Sequence, residues 1–184
     1  MIEHNKSLKN NYFFCGIKHS GKTTHAKIFA KNNNMDVFDG DDLILKSLKG
    51  QSIRSFYKEF GKDSFMQEEF KTIEGFLKDK TENRVLSLGG GICDNVRAIN
   101  LLKDNGILIF IKVNEKALYK RIIIDGIPPF LEGNSKEKFH LLFNEREKKY
   151  LHYADIIIEV KDAPIDDTAK IIDAKINKWI KNVT

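Results

Sequence analysis

Short runs of apolar residues alternate along the chain with longer stretches in which apolar residues recur every three or four positions. The short runs predict strands, because a strand buried on both faces reads as a continuous apolar segment. The longer stretches predict amphipathic helices, since side chains three or four positions apart share one helix face. Strands that alternate with helices in this way are typical of a parallel sheet covered on both faces.

Five buried strands are expected at residues 12–15, 36–39, 84–88, 107–113 and 155–160. Helices are expected at residues 22–32, 41–49, 52–60, 64–78, 94–103, 115–124, 136–152 and 166–181. Residues 126–134, which include Pro128, Pro129 and Gly133, interrupt the regular pattern. A chain of 184 residues has the length of one domain, and we expect a single domain over residues 1–184.

Composition narrows the class of protein. The net charge of +5 is carried mostly by lysine, and no compact basic block with interleaved aromatic residues is present, so we expect no nucleic-acid partner. The longest apolar run, 107–113, is too short to cross a bilayer, and the N-terminus lacks the apolar core of a signal peptide. Cys15 and Cys93 show no metal-binding spacing and are expected to be buried thiols. We therefore expect a cytoplasmic protein without a membrane partner.

The stretch from Gly16 to Thr23, GIKHSGKT, matches the phosphate-loop pattern G-x-x-x-x-G-K-[ST] between a predicted strand and a predicted helix. Backbone N–H groups of such a loop and the helix N-terminus bind phosphate oxygens. Lys22 is predicted to reach the outer phosphates, and the Thr23 hydroxyl to hold Mg²⁺. Lys18 either adds charge near the nucleotide or is solvated, and His19 alone has no evident role beyond a surface loop.

Two aspartates follow the second predicted strand. Asp39 is placed to hold the water shell of a metal ion, and Asp41 to take the proton of an acceptor hydroxyl. The alternative is an acidic helix N-cap without chemistry. Taken alone, the two interpretations are equally supported.

Two later features are weaker signals. Gly89, Gly90 and Gly91 end a predicted buried strand, where glycines let backbone N–H groups approach a ligand. Arg146 lies on a predicted helix, and an arginine fork binds a carboxylate in two places. An exposed helical arginine near Glu145 is the alternative.

The order of these motifs resembles the shikimate kinase family over nearly the full chain. The motifs that carry the resemblance are the phosphate loop, D-x-D at 39–41, GQSIRSFYKEFGKDSFMQEE at 50–69, VLSLGGG at 85–91, YKR at 119–121 and R-x-x-x-Y at 146–150. VLSLGGG is the most specific of them, because it accompanies both the phosphate loop and the D-x-D pair. The triple glycine and the 61–69 helix argue against the related gluconate and nucleoside-monophosphate kinases.

The resemblance implies an α/β, three-layer P-loop kinase fold with a five-stranded parallel sheet in the order 2-3-1-4-5. It also implies an acceptor-binding helical segment at residues 40–80 and a mobile lid at residues 122–136. The implied reaction transfers the γ-phosphoryl group of ATP to the 3-hydroxyl group of shikimate with Mg²⁺. We expect a monomer that binds this small acceptor.

The family's site residues are carried over here by motif position. Contacts to ATP fall on Gly16, Lys18, His19, Ser20, Gly21, Lys22, Thr23, Thr24 and Arg121. Metal contacts fall on Thr23 and Asp39, and the catalytic residues on Lys22 and Asp41. Contacts to the acceptor fall on Asp41, Gly89, Gly90, Gly91 and Arg146.

Two positions depart from the family pattern. Met66 stands where the family has an arginine that binds the acceptor's carboxylate, and Pro128 stands where the lid has an arginine over the transferred phosphate. Each missing charge-assisted hydrogen bond would cost about 1.5–3 kcal/mol. A milder departure is His19, at a position where glycine is usual.

Three explanations stay open at this point. Another cation, such as Arg54, Lys62 or a lid lysine, replaces the missing arginine in a divergent shikimate kinase. In the second explanation, the acceptor is a different hydroxylated molecule, which need not carry a charge. In the third explanation, the protein binds nucleotide and has lost the transfer reaction.

Overall fold

A computed structural model of the chain describes residues 11–79, 83–124, 135–160 and 165–183. Its five strands are β1 Tyr12–Cys15, β2 Asp36–Asp39, β3 Arg84–Ser87, β4 Ile107–Val113 and β5 Ile156–Val160. Its helices are α1 Lys22–Asn32, α2 Gly40–Ser47, α3 Ile53–Lys78, α4 Val96–Asn105, α5 Glu115–Ile124, α6 Ser135–Tyr153 and α7 Ile165–Val183. The strands form one parallel sheet in the order β2-β3-β1-β4-β5, which confirms the predicted fold class and strand order.

Alternating side chains of β1 face two separate cores. Tyr12 and Phe14 lie in a core that contains buried residues of α1 and α7. Phe13 and Cys15 lie in a second core, which contains buried residues of α4 and α6. Helices therefore cover both faces of the sheet, and both cysteines are buried as predicted.

The prediction of five buried strands is wrong for β2. Val37 is 38% exposed, and no residue of β2 is fully buried. The reason is position, because β2 lies at the edge of the sheet and, among the described strands, pairs with β3 alone. β1 and β3, which are interior strands, are buried at every residue.

The helix expected at 94–103 begins later than predicted. Residues Ile92–Asp94 form a 3₁₀ turn, and α4 starts at Val96. Asn95 caps this helix, since its Oδ1 accepts a hydrogen bond from the Ala98 backbone nitrogen at 3.3 Å. Asp94 therefore lies before the helix, in the 3₁₀ turn that follows the triple glycine.

The two helices expected at 52–60 and 64–78 are joined in α3 and meet at a bend. Gly61 at the bend has φ 80° and ψ −178°, a backbone conformation that is essentially restricted to glycine. Ser52 begins the element by accepting a hydrogen bond from the Ser55 backbone nitrogen at 3.1 Å. Most of the predicted lid, with Pro128, lies outside the described residues.

Candidate active site

The phosphate loop turns tightly between β1 and α1. A Cβ atom on Gly16 would lie 2.8 Å from the Ile111 carbonyl oxygen and 2.7 Å from Ser20 Oγ, so only glycine fits there. Gly21, with φ 85°, immediately precedes the first residue of α1. The Ser20 backbone nitrogen donates to the Ile17 carbonyl oxygen at 3.0 Å, which closes the turn. The loop therefore delivers the chain to a helix N-terminus, where anions bind favourably.

Two polar groups of this loop fit a nucleotide phosphate. The Ser20 hydroxyl is buried and has no hydrogen-bond partner among the described residues. Burial lowers the pKa of Lys22, although the charges of Asp41 and Asp39 act in the opposite direction. An unpaired hydroxyl and a partly desolvated ammonium group are both stabilised by phosphate oxygens.

Thr23, on the first turn of α1, contacts the ends of two neighbouring strands, β2 and β3, through hydrogen bonds. Its hydroxyl donates to Asp39 Oδ2 at 3.2 Å and lies 2.7 Å from the Ser87 hydroxyl. Asp39 and Ser87 pair in register on β2 and β3, which brings their side chains together. Ser87 was missed by the sequence analysis, because pairing between strands is not visible in a local motif.

Oxygen donors of this kind fit Mg²⁺, which prefers one or two protein oxygens together with phosphate oxygens and water. In the parts of the chain that are described, no group of three or more His, Cys, Asp or Glu side chains is placed to hold a metal ion. The donor set of Thr23 and Asp39 therefore suits a metal that shares its ligands with a nucleotide.

Asp39 caps a helix, which is one of the two alternatives that the sequence left open, and its role toward a metal stays a prediction. Its Oδ1 caps α2 by accepting a hydrogen bond from the Asp41 backbone nitrogen at 3.0 Å, and its Oδ2 faces Thr23. Asp41 is exposed on the first turn of α2. Loss of hydration and then the charge of Asp39 raise its pKa. Asp39 thus fixes the start of the helix that carries Asp41.

Each glycine of the triplet adjoins a different part of the site. A Cβ atom on Gly89 would lie 3.0 Å from Asp41 Oδ1, and one on Gly90 would lie 2.8 Å from the Lys18 backbone nitrogen. A Cβ atom on Gly91 would lie 3.1 Å from Arg146 Nη2. The three predicted elements, namely the phosphate loop, the aspartate and the arginine, therefore meet along three consecutive residues.

Glu69 is an acidic residue of the site that the sequence analysis did not single out. It is 4% exposed, and its Oε2 accepts a hydrogen bond from Asn95 Nδ2 at 2.8 Å. Its Oε1 lies 3.6 Å from the position of a Gly89 Cβ atom. Burial raises the pKa of Glu69 to about 7. The sequence did contain a signal for Glu69. It lies four residues from both Phe65 and Ile73, and so shares a helix face with these apolar residues.

Arg146 packs beside the triple glycine and pairs with an aspartate. Its Nη2 donates to Asp94 Oδ2 at 3.2 Å, and Lys149 Nζ donates to Asp94 Oδ1 at 2.6 Å. The Arg146 side chain is 21% exposed, whereas Glu145 pairs with Lys149 instead. Arg146 is therefore not a freely exposed helical arginine. What it binds remains a prediction.

Met66 lines a pocket of about 430 Å³ between α3 and the start of α4. Arg97 lines the same pocket, and its guanidinium carbon lies 4.3 Å from the centre of the Phe70 ring. Arg54 and Lys62, which the sequence offered as substitute cations, are exposed. Arg97 is thus a cation close to Met66 that the sequence analysis did not consider.

Arg121 reaches the phosphate loop from α5. Its Nη1 donates to the His19 carbonyl oxygen at 3.2 Å. His19 itself has φ 67°, a left-handed backbone conformation that favours glycine, which is the usual residue at this position of the motif. Thr24, in contrast, is exposed on the first turn of α1.

Comparison with known proteins is consistent with this geometry. The model of one protein family, described as shikimate kinase, matches residues 18–177. The chain belongs to the shikimate kinase family. The shikimate kinase of Nitrosococcus oceani is 30% identical over 173 residues, which cover 94% of this chain and 90% of that protein. The shikimate kinase of Streptococcus gordonii is 32% identical over 159 residues, covering 85% of this chain and 94% of that protein.

Solved shikimate kinases share the fold. The enzyme of Acinetobacter baumannii, solved in complex with shikimate, has a TM-score of 0.79 at 23% identity and covers 97% of this chain and 96% of that one. The Aquifex aeolicus enzyme has a TM-score of 0.71 at 26% identity, with 91% and 96% covered. Among the described residues, no helix is both long and apolar enough to span a membrane.

Proposed function

We propose that this protein transfers the γ-phosphoryl group of ATP to the 3-hydroxyl group of shikimate, with Mg²⁺. The observation that carries the proposal is the convergence at the triple glycine. Gly89 adjoins Asp41, Gly90 packs on the phosphate loop and Gly91 adjoins Arg146. A phosphate donor and an acid-bearing acceptor held by these groups would lie next to each other, as direct transfer requires.

On the nucleotide side, the residues have separate tasks. Lys22 binds the outer phosphates, and its ammonium charge compensates the charge that develops during transfer. Thr23 and Asp39 would hold Mg²⁺, which would neutralise phosphate charge. Arg121 contacts the loop through His19 and is placed to approach the nucleotide from α5.

On the acceptor side, Asp41 is the proposed general base. The acceptor hydroxyl oxygen attacks the γ-phosphorus, the bond between that phosphorus and the bridging oxygen of ADP breaks, and Asp41 takes the hydroxyl proton. Arg146 binds the acceptor's carboxylate, and so orients the ring with its hydroxyl toward Asp41. Gly89, Gly90 and Gly91 form the wall along which the acceptor lies.

One observation favours a second candidate acceptor. Met66 supplies no charge where the family has an arginine, so the site is less positive than a two-arginine site. A hydroxylated molecule without a carboxylate would lose less binding from this change than shikimate does. The same phosphoryl transfer would then act on an uncharged acceptor.

A parallel assay tests the proposal. ATP consumption is measured with shikimate, quinate, gluconate and nucleoside monophosphates, each at matched concentration. We expect turnover with shikimate to exceed that with the other acceptors. Turnover with another acceptor alone would replace shikimate, and ATP binding without turnover of any of them would indicate a nucleotide-binding protein.

A further inference from the structure

We propose that Asp94 determines acceptor specificity by competing with the acceptor's carboxylate for Arg146. This inference rests on the proposed function, in which Arg146 binds that carboxylate. It adds a residue that opposes the binding of acidic acceptors, and it predicts the direction in which affinity changes when Asp94 is neutralised.

The position of Arg146 leaves its guanidinium between the triple glycine and Asp94. Nη2 lies 3.1 Å from the site of a Gly91 Cβ atom and donates to Asp94 Oδ2 at 3.2 Å. Nε is buried and has no hydrogen-bond partner among the described residues. The same Nη2 that faces the proposed acceptor wall is therefore already paired with a carboxylate of the chain.

Asp94 is held firmly in place as an anion. Its backbone nitrogen donates to the Gly91 carbonyl oxygen at 2.9 Å, which fixes the 3₁₀ turn, and its side chain is only 14% exposed. Burial alone would raise the pKa of Asp94, but hydrogen bonds from Lys149 and the charge of Arg146 outweigh it and lower this pKa. Asp94 is consequently ionised at neutral pH.

Lys149 makes an exchange of partners feasible. Its Nζ lies 2.6 Å from Asp94 Oδ1, on the other oxygen from the one that Arg146 binds. If a carboxylate ligand draws Arg146 away, Asp94 keeps one cationic partner and is not left as an uncompensated buried charge. An incoming carboxylate therefore replaces an existing charged hydrogen bond. Its net gain in binding free energy is smaller than it would be if the Arg146 guanidinium had no partner.

Competition from Asp94 weakens acid binding more in this protein because Met66 offers no second cation at the position where the family has an arginine. Arg97 lines the pocket beside Met66, but Arg146 is the arginine that adjoins the triple glycine, and it is shared with Asp94. An uncharged acceptor does not compete with Asp94. We infer that pairing of Asp94 with Arg146 makes the site favour acids over uncharged analogues of the same shape less strongly than an unpaired Arg146 would.

The test compares shikimate with its methyl ester in the wild-type protein and in Asp94→Asn. Dissociation constants are measured by calorimetry without ATP, and KM and kcat are measured where turnover occurs. In Asp94→Asn we expect shikimate to bind roughly 10-fold more tightly, in line with the loss of one partly exposed charged competitor. The affinity for the ester and the value of kcat should change little.

Glu145→Gln is the matched control, because Glu145 also pairs with Lys149 but not with Arg146. An equal gain in both variants would assign the effect to overall charge and overturn the proposal. Weaker or unchanged shikimate binding in Asp94→Asn would overturn it too, since Asp94 would then serve to orient Arg146. Thermal unfolding of both variants shows whether the fold is retained, and Asp94→Ser provides a second neutral side chain.

Failure of the proposal for Asp94 can be distinguished from failure of the proposed function. Absence of shikimate turnover in the wild-type protein would reject the proposed function while leaving the binding comparison intact. If shikimate binds to neither the wild-type protein nor Asp94→Asn, the proposal for Asp94 is rejected as well.

Discussion

Gly90 lies so close to the phosphate loop that a Cβ atom on it would come within 2.8 Å of the Lys18 backbone nitrogen. The backbone of the triple glycine thus packs directly on the backbone of the phosphate loop, which is predicted to hold ATP. This contact therefore sets the spacing between the phosphate loop and the triple glycine.

Gly90→Ala should therefore impair catalysis by displacing the loop. Overpacking of this kind costs about 1–3 kcal/mol, and we expect a fall in kcat/KM of roughly 5- to 150-fold with a raised KM for ATP. Gly75→Ala is the control, since it lies in α3 with nothing within 4 Å of its Cβ position. It should leave kinetics unchanged and raise stability by up to about 1 kcal/mol. Normal ATP kinetics in Gly90→Ala would show that the loop tolerates the shift.

Lys22→Ala should reduce turnover severely, because it removes the point charge proposed to lie at the outer phosphates. Steady-state kinetics and direct ATP binding are measured together. Lys27→Ala is the matched control, as Lys27 is an exposed lysine on the same helix. Equal effects of the two substitutions would mean that Lys22 acts only through overall charge.

Asp41→Asn should lower kcat by roughly 10²–10⁴-fold with little change in ATP affinity, since general-base assistance has that size. Asp42→Asn neutralises the neighbouring, exposed aspartate and should behave as wild type. A wild-type rate in Asp41→Asn would leave Asp41 as a residue of the first turn of α2 without a part in proton transfer.

Glu69 should make the protein less stable as the pH rises from about 5 to 7.5. Its pKa is about 7 when folded against 4.5 for the free side chain, so the folded state binds the extra proton in this window. The full shift corresponds to at most about 3 kcal/mol, lost as the pH passes through 7. Urea unfolding at pH 5 and pH 8 measures it. Glu69→Gln should remove this dependence, and an equally steep pH profile in the variant would assign it to another group.

Met66→Arg tests which acceptor the site prefers. If the acceptor is shikimate, the new arginine should lower its KM by up to roughly 10-fold, and Arg146→Ala should nearly abolish turnover. If the acceptor has no charge, the arginine would place an unpaired cation in the site and turnover should fall. Met66→Leu is the neutral control. A lower kcat/KM for shikimate in Met66→Arg would favour the uncharged acceptor.

The positions of the strands and helices were largely predictable because the two differ in local apolar periodicity, whereas the strand order was implied by the resemblance to the shikimate kinase family. The exposure of β2 was not predictable in this way, since an edge strand is defined by what lies beside it. The start of α4 was misplaced because the sequence does not distinguish a 3₁₀ turn at Ile92–Asp94 from the helix that follows.

Residue patterns alone predicted the candidate site most clearly where its chemistry is encoded in consecutive residues. The phosphate loop and the triple glycine are motifs of this kind. Glu69 and Asp94 are different, because their partners Asn95 and Arg146 lie 26 and 52 residues away in the chain. No local window contains such a pair, and only the packing of α3 and α6 around the triplet brings them together.

The bend at Gly61 gives α3 two arms in different surroundings. In the first arm, Tyr57 and Phe60 are 46% and 49% exposed, while the second arm contributes the buried residues Glu69 and Ile73. A helix segment with few buried contacts opens at a lower free energy than one anchored in a core. Amide hydrogens of residues 53–60 should thus exchange with solvent sooner than those of residues 65–76. Residues 53–60, which belong to the predicted acceptor-binding segment, should therefore open locally while the sheet retains its protection.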